Sequence, residues 1–291
     1  MSTPDQLAAL ALADVREPIP PAELLLALGS KPFIHIPGTF NTRDLGLIPI
    51  TSSSSSSSSS TSTGTILNKI RPGFVFRSGS LERLTPEGAV SLSVQLGVRR
   101  IFDLRSEGER AAAPDPDLFG VRNTWAPTEE KEATVELAAF YSRGWRPRLR
   151  GNHVRDNPEE PFLFHCTAGR DRTGVLAGLL ATLAGQDPTL VELDYMLSRV
   201  GVEPAREMLL GFVMQGSGAK SKDDPGFYNL ASLRPSSWRA FLDAVAKQYD
   251  GGLRGYARDV LGFSDDELRL IAYNLSRDWT PPPPPPAADG A

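Results

Sequence analysis

The sequence predicts an α/β fold, a central and mostly parallel sheet flanked by helices, with a helical layer built by the C-terminal third. Three observations lead there. Pro161 to His165 is a short apolar run, Cys166 to Arg172 fits no period, and from Arg172 an apolar helical pattern runs to about Gly185, giving strand, tight loop and helix in that order. Phe74–Phe76 and Arg100–Leu104 are two more short strands, each leading into a segment that opens with helix-cap signals. Beyond residue 187 the chain turns to helical periodicity over Pro188–Val200, Glu203–Gln215, Ser236–Tyr249 and Ser264–Leu275.

Taken in order, residues 4–13 and 21–28 predict two short helices, separated by Pro18, Pro20 and Pro21, with Pro21 at a first helical position. Ile34-His-Ile36 predicts a short strand, in which His35 is structural. Asn41 to Gly46 predicts a turn-rich loop, with Arg43 either facing a site or pairing with Asp44 on the surface. Residues 51–65 are almost wholly serine and threonine. Such a stretch buries too little apolar area to offset chain entropy and is expected to be a disordered insertion.

Thr85-Pro-Glu-Gly predicts a helix with a threonine cap and proline at its first position, ended by Gly97. Asp103 and Arg105 fall at the C-terminal edge of the strand that follows, and Ser106-Glu-Gly-Glu starts another helix. A strand at 121–125 and a helix at 128–142 come next. The chain then passes quickly through Gly144 to Asp156. Late in the chain, Asp187-Pro188 and Ser264-Asp-Asp-Glu267 are cap signals, Lys220–Gly226 is a polar loop, and Pro281–Pro286 is a polyproline tail expected to be disordered.

Composition sets bounds. The formal net charge of −4 over 291 residues gives no chain-wide basic field of the kind nucleic acid attracts. A single cysteine excludes an internal disulfide and fits a reducing, cytoplasmic setting. No basic segment precedes an apolar stretch at the N-terminus and no apolar run reaches the ~18 residues of a membrane span, so neither a signal peptide nor a transmembrane segment is expected. Oligomeric state is not legible.

The chemistry concentrates in Cys166-Thr-Ala-Gly-Arg-Asp-Arg-Thr173. A loop between strand and helix turns its backbone amides and the helix N-terminus toward one spot, which makes an anion site. Helix N-termini and neighbouring cations lower a cysteine pKa from ~8.5 to roughly 3.5–7.5, so Cys166 is expected to be a thiolate nucleophile. Arg172 offers a planar fork that grips two phosphate oxygens at once. Thr167, Ala168 and Gly169 are small enough for the backbone to wrap a tetrahedral anion, and the Thr173 hydroxyl is placed to stabilise the sulfur. Gly169-x4-Gly174 is also half of a nucleotide-binding loop, but Val175-Leu176 stand where lysine and a hydroxyl residue are needed.

These residues resemble the signature of the cysteine-dependent phosphatases, His-Cys-x5-Arg-Ser/Thr, read here as His165 to Thr173. The form is similar to the bacterial and fungal tyrosine and lipid phosphatase family typified by a secreted mycobacterial tyrosine phosphatase. Asn41-Thr-Arg-Asp-Leu-Gly46, Phe76-Arg-Ser-Gly79 with Leu84-Thr-Pro-Glu-Gly88, and Ile101-Phe-Asp-Leu-Arg-Ser-Glu107 match further blocks of that family, which together span about Ile34 to Leu275.

The resemblance implies a tyrosine-phosphatase-like fold, with a phosphatase domain at 31–276 between an N-terminal helical extension at 1–30 and a tail at 277–291. It implies phosphomonoester hydrolysis through a cysteinyl-phosphate, with no metal or other cofactor, acting on a phosphorylated protein or a phosphoinositide. Phosphotyrosine is the first expectation, with phosphoserine/threonine and phosphoinositides as alternatives. Cys166 would be the nucleophile and Arg172 the phosphate clamp, with Asp171 as general acid and Asp103 in reserve. Thr167, Ala168, Gly169, Arg170 and Thr173 would bind substrate, and Arg170, where the family usually has lysine, would either hold a second phosphate or steer anions from the surface. The family generally carries a longer helical stretch before the cysteine strand, so a pocket-wall helix is expected to be cut short here. A phosphate-binding module without turnover and a sulfurtransferase or arsenate reductase also use such a loop; arsenate reduction usually needs more thiols than one.

Overall fold

A computed structural model describes residues 1–51, 68–127 and 148–276. Among them, five strands form one sheet in the order β1-β2-β5-β3-β4. They are β1 (Arg43–Asp44), β2 (Val75–Ser78), β3 (Arg100–Asp103), β4 (Arg122–Trp125) and β5 (Phe162–His165). Only β1 runs antiparallel, to β2; the other pairings are parallel. The registers align Ser78, Asp103 and His165, so β2, β3 and β5 end together, and β5 is central. In open α/β sheets that edge, outside the carboxyl ends of the strands, is where ligands bind.

The central strand is apolar on both faces, as a parallel strand covered by helices must be. Phe162, Leu163 and Phe164 are wholly buried. One face meets α6 (Asp171–Leu183), whose Leu176, Leu179 and Leu180 join Phe74, Phe102, Phe162 and Phe164 in the main core. That core continues into α10 (Pro235–Gln248) through Trp238, into α11 (Gly252–Asp259) through Tyr256, and into α12 (Asp265–Leu275) through Leu268 and Ile271. On the other face Phe76, Ile101 and Leu163 pack with Leu92 and Val98, which follow the short α3 (Pro86–Val90).

A separate cluster joins α1 (Pro4–Ala11) and α2 (Pro21–Leu28) to α7 (Pro188–Gly201), through Leu7, Ala11 and Ala27 against Leu190, Met196, Leu197 and Val200. No described helix is long and apolar enough to cross a membrane.

The expected strands at 74–76, 100–104, 121–125 and 161–165 are present within a residue or two, as are the helices begun by Thr85, Ser106, Asp187 and Ser264, whose side chains accept the capping amides. α4 (Glu107–Ala112) carries a full capping box between Ser106 and Glu109. Three readings need correction. Ile34–Ile36 is not a strand: Phe33 makes one isolated bridge to Arg43, and the prolines at 32 and 37, which cannot donate, stop the ladder on either side. The passage before β5 contains α5 (Arg148–Asp156), docked on α12 through the Asn274 amide, which donates to the Val154 carbonyl at 2.8 Å. Near the end, α8 (Arg206–Ser217) is followed by an unforeseen α9 (Phe227–Ala231), and α11 was unforeseen as well. Both start from a left-handed glycine, Gly226 and Gly251, where a sequence reads a break. The helix expected at 128–142, the serine/threonine tract beyond Thr51 and the polyproline tail lie outside the described residues.

Candidate active site

The site forms where β5 runs into α6. Cys166 follows the last residue of the central strand and is buried at 2% exposure. The Thr173 hydroxyl, on the first turn of α6, donates to its sulfur at 3.2 Å. Between them the loop bends through Gly169 at φ +63°, where a Cβ would sit 2.3 Å from the Ser78 carbonyl oxygen, so only glycine lets the loop lie against the end of β2.

The loop carbonyls are taken from outside, one after another. The Thr167 carbonyl accepts from the Ser80 amide at 3.1 Å. Asn41 Nδ2 donates to the carbonyls of Ala168 at 3.1 Å and Gly169 at 2.9 Å. Arg77 Nη2 donates to those of Gly169 at 2.8 Å and Arg170 at 3.2 Å. In a trans peptide the N–H lies antiparallel to the C=O. Carbonyls drawn back to the sheet edge therefore leave the amides of residues 168 to 171 facing the other way, off the clamp.

The clamp is itself fixed by a buried ion cluster. Asp194 on α7 holds Arg43 Nε at 2.8 Å and the Nη1 of Arg77, and Arg43 also donates to the Ser198 hydroxyl at 2.9 Å and to the Asn41 side-chain oxygen. Both arginines are fully buried. Burial alone would raise the Asp194 carboxyl, but the two guanidiniums hold it below the usual range. Burial and the neighbouring Arg77 draw Arg43 down to about 10, which leaves it charged at neutral pH. Arg43 thus neither faces the site nor pairs with Asp44 on the surface; Asp44 accepts from the amides of Gly46 and Gly73 instead.

On the open side, Arg172 gives Nη1 and Nη2 to the two oxygens of Glu109, both at 2.6 Å, and the Thr167 hydroxyl donates to the same carboxylate. Glu109 is half-buried on α4. Burial works against its charge, but Arg172, Thr167 and the Ser106 amide bring it down to about 2. Arg170 turns away from the loop: it pairs with Asp171 at 3.0 Å and donates to the carbonyls of Ala231 at 2.7 Å and Leu230 at 3.2 Å at the end of α9. The Asp171 side chain is 46% exposed. Its charge adds to burial in raising the Tyr195 phenol.

Beneath the loop the Asp103 carboxylate is buried against Arg105 at 2.9 and 3.1 Å. Asp115 links Arg105 at 2.8 Å to His165 Nε2 at 2.9 Å. Burial opposes its ionisation, yet the His165 hydrogen bond and nearby cations hold it low. Asp103, Asp115 and His165 bring possible metal-ligand atoms within 4.8 Å of one another, but Arg105 already supplies the cation both carboxylates face.

The structure thus brings Cys166, Thr167, Ala168, Gly169, Arg172 and Thr173 around one point, sets Asp171 and Arg170 at its rim, and leaves Asp103 in the layer below. Sequence reasoning missed Glu109, whose capping-box position reads as helix chemistry, along with Asp115 and the partners of Arg77.

The model of the tyrosine phosphatase family matches residues 34–277. A tyrosine-protein phosphatase of Nostoc commune is 30% identical over 219 residues, covering 69% of this chain and 74% of its own. The triple specificity protein phosphatase PtpB of Mycobacterium tuberculosis is 26% identical over 239 residues, covering 65% of this chain and 86% of its own. The solved core catalytic domain of the PP-IP phosphatase SIW14 of S. cerevisiae overlaps 50% of this chain and 88% of its own at 16% identity and a TM-score of 0.30.

Proposed function

The chain belongs to the tyrosine phosphatase family and is a cysteine-dependent phosphatase, and from that premise we propose that it hydrolyses phosphomonoesters through a phosphocysteine formed at Cys166. The observation that supports this reading most is the run of four loop carbonyls held from behind, with Cys166 at the root of the loop and Arg172 at its end.

In the first step the Cys166 thiolate forms a bond to phosphorus as the ester P–O bond breaks. Asp171 gives its proton to the departing oxygen. In the second step a water oxygen bonds to phosphorus, the S–P bond breaks, the electron pair returns to sulfur, and the water proton passes to the Asp171 carboxylate. The loop amides and Arg172 bind the equatorial oxygens throughout, and the Thr173 hydroxyl stabilises sulfur when it leaves.

Asp171 serves as the acid ahead of Asp103 because, although each carboxylate meets an arginine, Asp171 stands half in solvent at the loop whereas Asp103 is buried. Loss of the basic limb of the kcat/KM–pH profile, where a general acid gives up its proton, in Asp171→Asn, with Asp103→Asn retaining it, is the expected result; the reverse contradicts the assignment. The substrate proposed is a protein phosphorylated on tyrosine. Phosphoserine/threonine comes next, in line with the name of the mycobacterial relative. A phosphoinositide is less favoured, because the extra cation at Arg170 already serves Asp171 and two backbone carbonyls. Release of phosphate from para-nitrophenyl phosphate in EDTA, present in the wild type and absent in Cys166→Ser, is the test; turnover surviving in the mutant overturns the reading.

A further inference from the structure

We propose that Asn41 is a positioning residue for phosphate binding: its amide fixes the direction of the phosphate loop's backbone from behind. The inference rests on the phosphocysteine reading and adds a residue that never meets the reacting atoms. Three observations carry it.

The first is backbone conformation. Among the described residues Asn41 is the one non-glycine with positive φ, at +57°. Asparagine enters that region more readily than most side chains, and residues held there cluster at sites where the surroundings dictate geometry. The second is orientation. The Asn41 side-chain oxygen receives Nη1 of Arg43, and Arg43 is pinned by Asp194 and Ser198. With the oxygen committed to a cation, the amide can turn only its donor edge to the loop. That edge spans two successive carbonyls, of Ala168 and Gly169. The third is room. Asn41 is 2% exposed, and a Cβ on Gly201 of α7 would lie 2.0 Å from its side-chain oxygen, so helix and loop close on this one amide.

The consequence is directional. Each carbonyl drawn toward Asn41 sends the N–H of the same peptide away from it, so one side chain 125 residues before the cysteine aims the amides of Gly169 and Arg170. The charged groups packed around the loop are Arg43, Arg77 and Asp194 behind it, Arg170, Asp171 and Arg172 within it, Glu109 in front, and His165 with Asp115, Asp103 and Arg105 below. Asn41→Gly changes none of them. It relieves the positive φ and takes one acceptor from Arg43, which keeps Asp194, Ser198 and the Asn41 backbone carbonyl, while the loop loses two hydrogen bonds.

The test titrates inorganic phosphate by calorimetry into Cys166→Ser protein, alone and combined with Asn41→Gly or Asn41→Asp. In parallel, kcat and KM for para-nitrophenyl phosphate are measured for the single Asn41 variants. We expect phosphate affinity and kcat each to fall at least tenfold in Asn41→Gly protein that circular dichroism shows to be folded at the assay temperature. The loss should be larger in Asn41→Asp, which turns a carboxylate on two carbonyl oxygens. Should Asn41→Asp not fold, Asn41→Gly still decides. Folded Asn41→Gly protein with unchanged phosphate affinity and kcat overturns the inference and leaves the function reading standing. No phosphate bound by Cys166→Ser, together with no turnover by the wild type, overturns both.

Discussion

The two sides of the loop from Cys166 to Arg172, the proposed phosphate site, are held by different physics. Behind it, Asn41, Arg43, Arg77 and Asp194 form a buried set in which the guanidiniums are fully enclosed and the donors reach backbone carbonyls. In front, Arg172 meets the Glu109 carboxylate among the described residues, with both side chains slightly exposed. The rear fixes main chain, which has to keep one shape before and after phosphate arrives. The front holds a side chain with an anion, which an arriving phosphate dianion can replace by like chemistry. Preorganisation and readiness to bind are thus assigned to opposite faces of seven residues.

The sharpest way to break this contrast is Arg77→Met. It removes the donor for two loop carbonyls and for one oxygen of Asp194, and a buried acceptor left unsatisfied costs about 1–3 kcal/mol. Urea denaturation should show a loss of that order; a loss under ~1 kcal/mol would mean that the rear is no more rigid than the front.

Glu109→Gln is the matching change in front. It keeps the shape and removes the anion, so KM for para-nitrophenyl phosphate should fall about two- to fivefold as repulsion of the dianion disappears. kcat should fall by a similar factor as Arg172 is held less firmly, because a charge-assisted hydrogen bond is roughly twice as strong as a neutral one. A rise in KM would show that Glu109 helps to bind phosphate instead of standing in for it.

The same pair has a pH signature. The Glu109 carboxyl, ordinarily near 4.5, is held at about 2, so its folded-state pKa lies below its unfolded one. Its contribution to stability is complete above pH 4.5 and is lost as pH falls from there toward 2. The urea midpoint should drop across that window in the wild type and drop less in Glu109→Gln; parallel curves would contradict the shift.

The smallest effect belongs to Arg170→Ala. With its guanidinium already spent on Asp171 and the end of α9, turnover of a phosphotyrosine peptide and of a phosphoinositide should fall together, by less than about threefold, since an ion pair whose carboxylate is half exposed contributes little. A loss confined to the phosphoinositide would return Arg170 to the substrate site.

This division also explains what the sequence made legible. Cys166 to Thr173 is contiguous, and a strand, a small-residue loop and an apolar helix in succession leave few alternatives, so the loop and the α/β class that carries it could be read directly. The rear clamp could not. Its members stand at 41, 43, 77 and 194, and only the pairing of β1 with β2 and the packing of α7 bring them together. Arg43 shows the difficulty: from sequence it was a turn residue with Asp44 at hand, and in three dimensions burial gave it other partners. Glu109 was hidden by a second role, since the residue that closes the capping box of α4 also meets Arg172. α9 and α11 were missed because glycine in the left-handed region can open a helix as well as end one.

The central claim is that phosphate passes through the Cys166 sulfur. Its most direct test is to mix the wild type with a phosphotyrosine peptide in EDTA, quench in acid within milliseconds, and read the mass and site of any covalent phosphoryl group. The account predicts one phosphoryl group on Cys166, increased in Asp171→Asn when an activated aryl phosphate is the substrate, and absent in Cys166→Ser. Steady turnover with no phosphoryl group on sulfur, or with one on another residue, would contradict it.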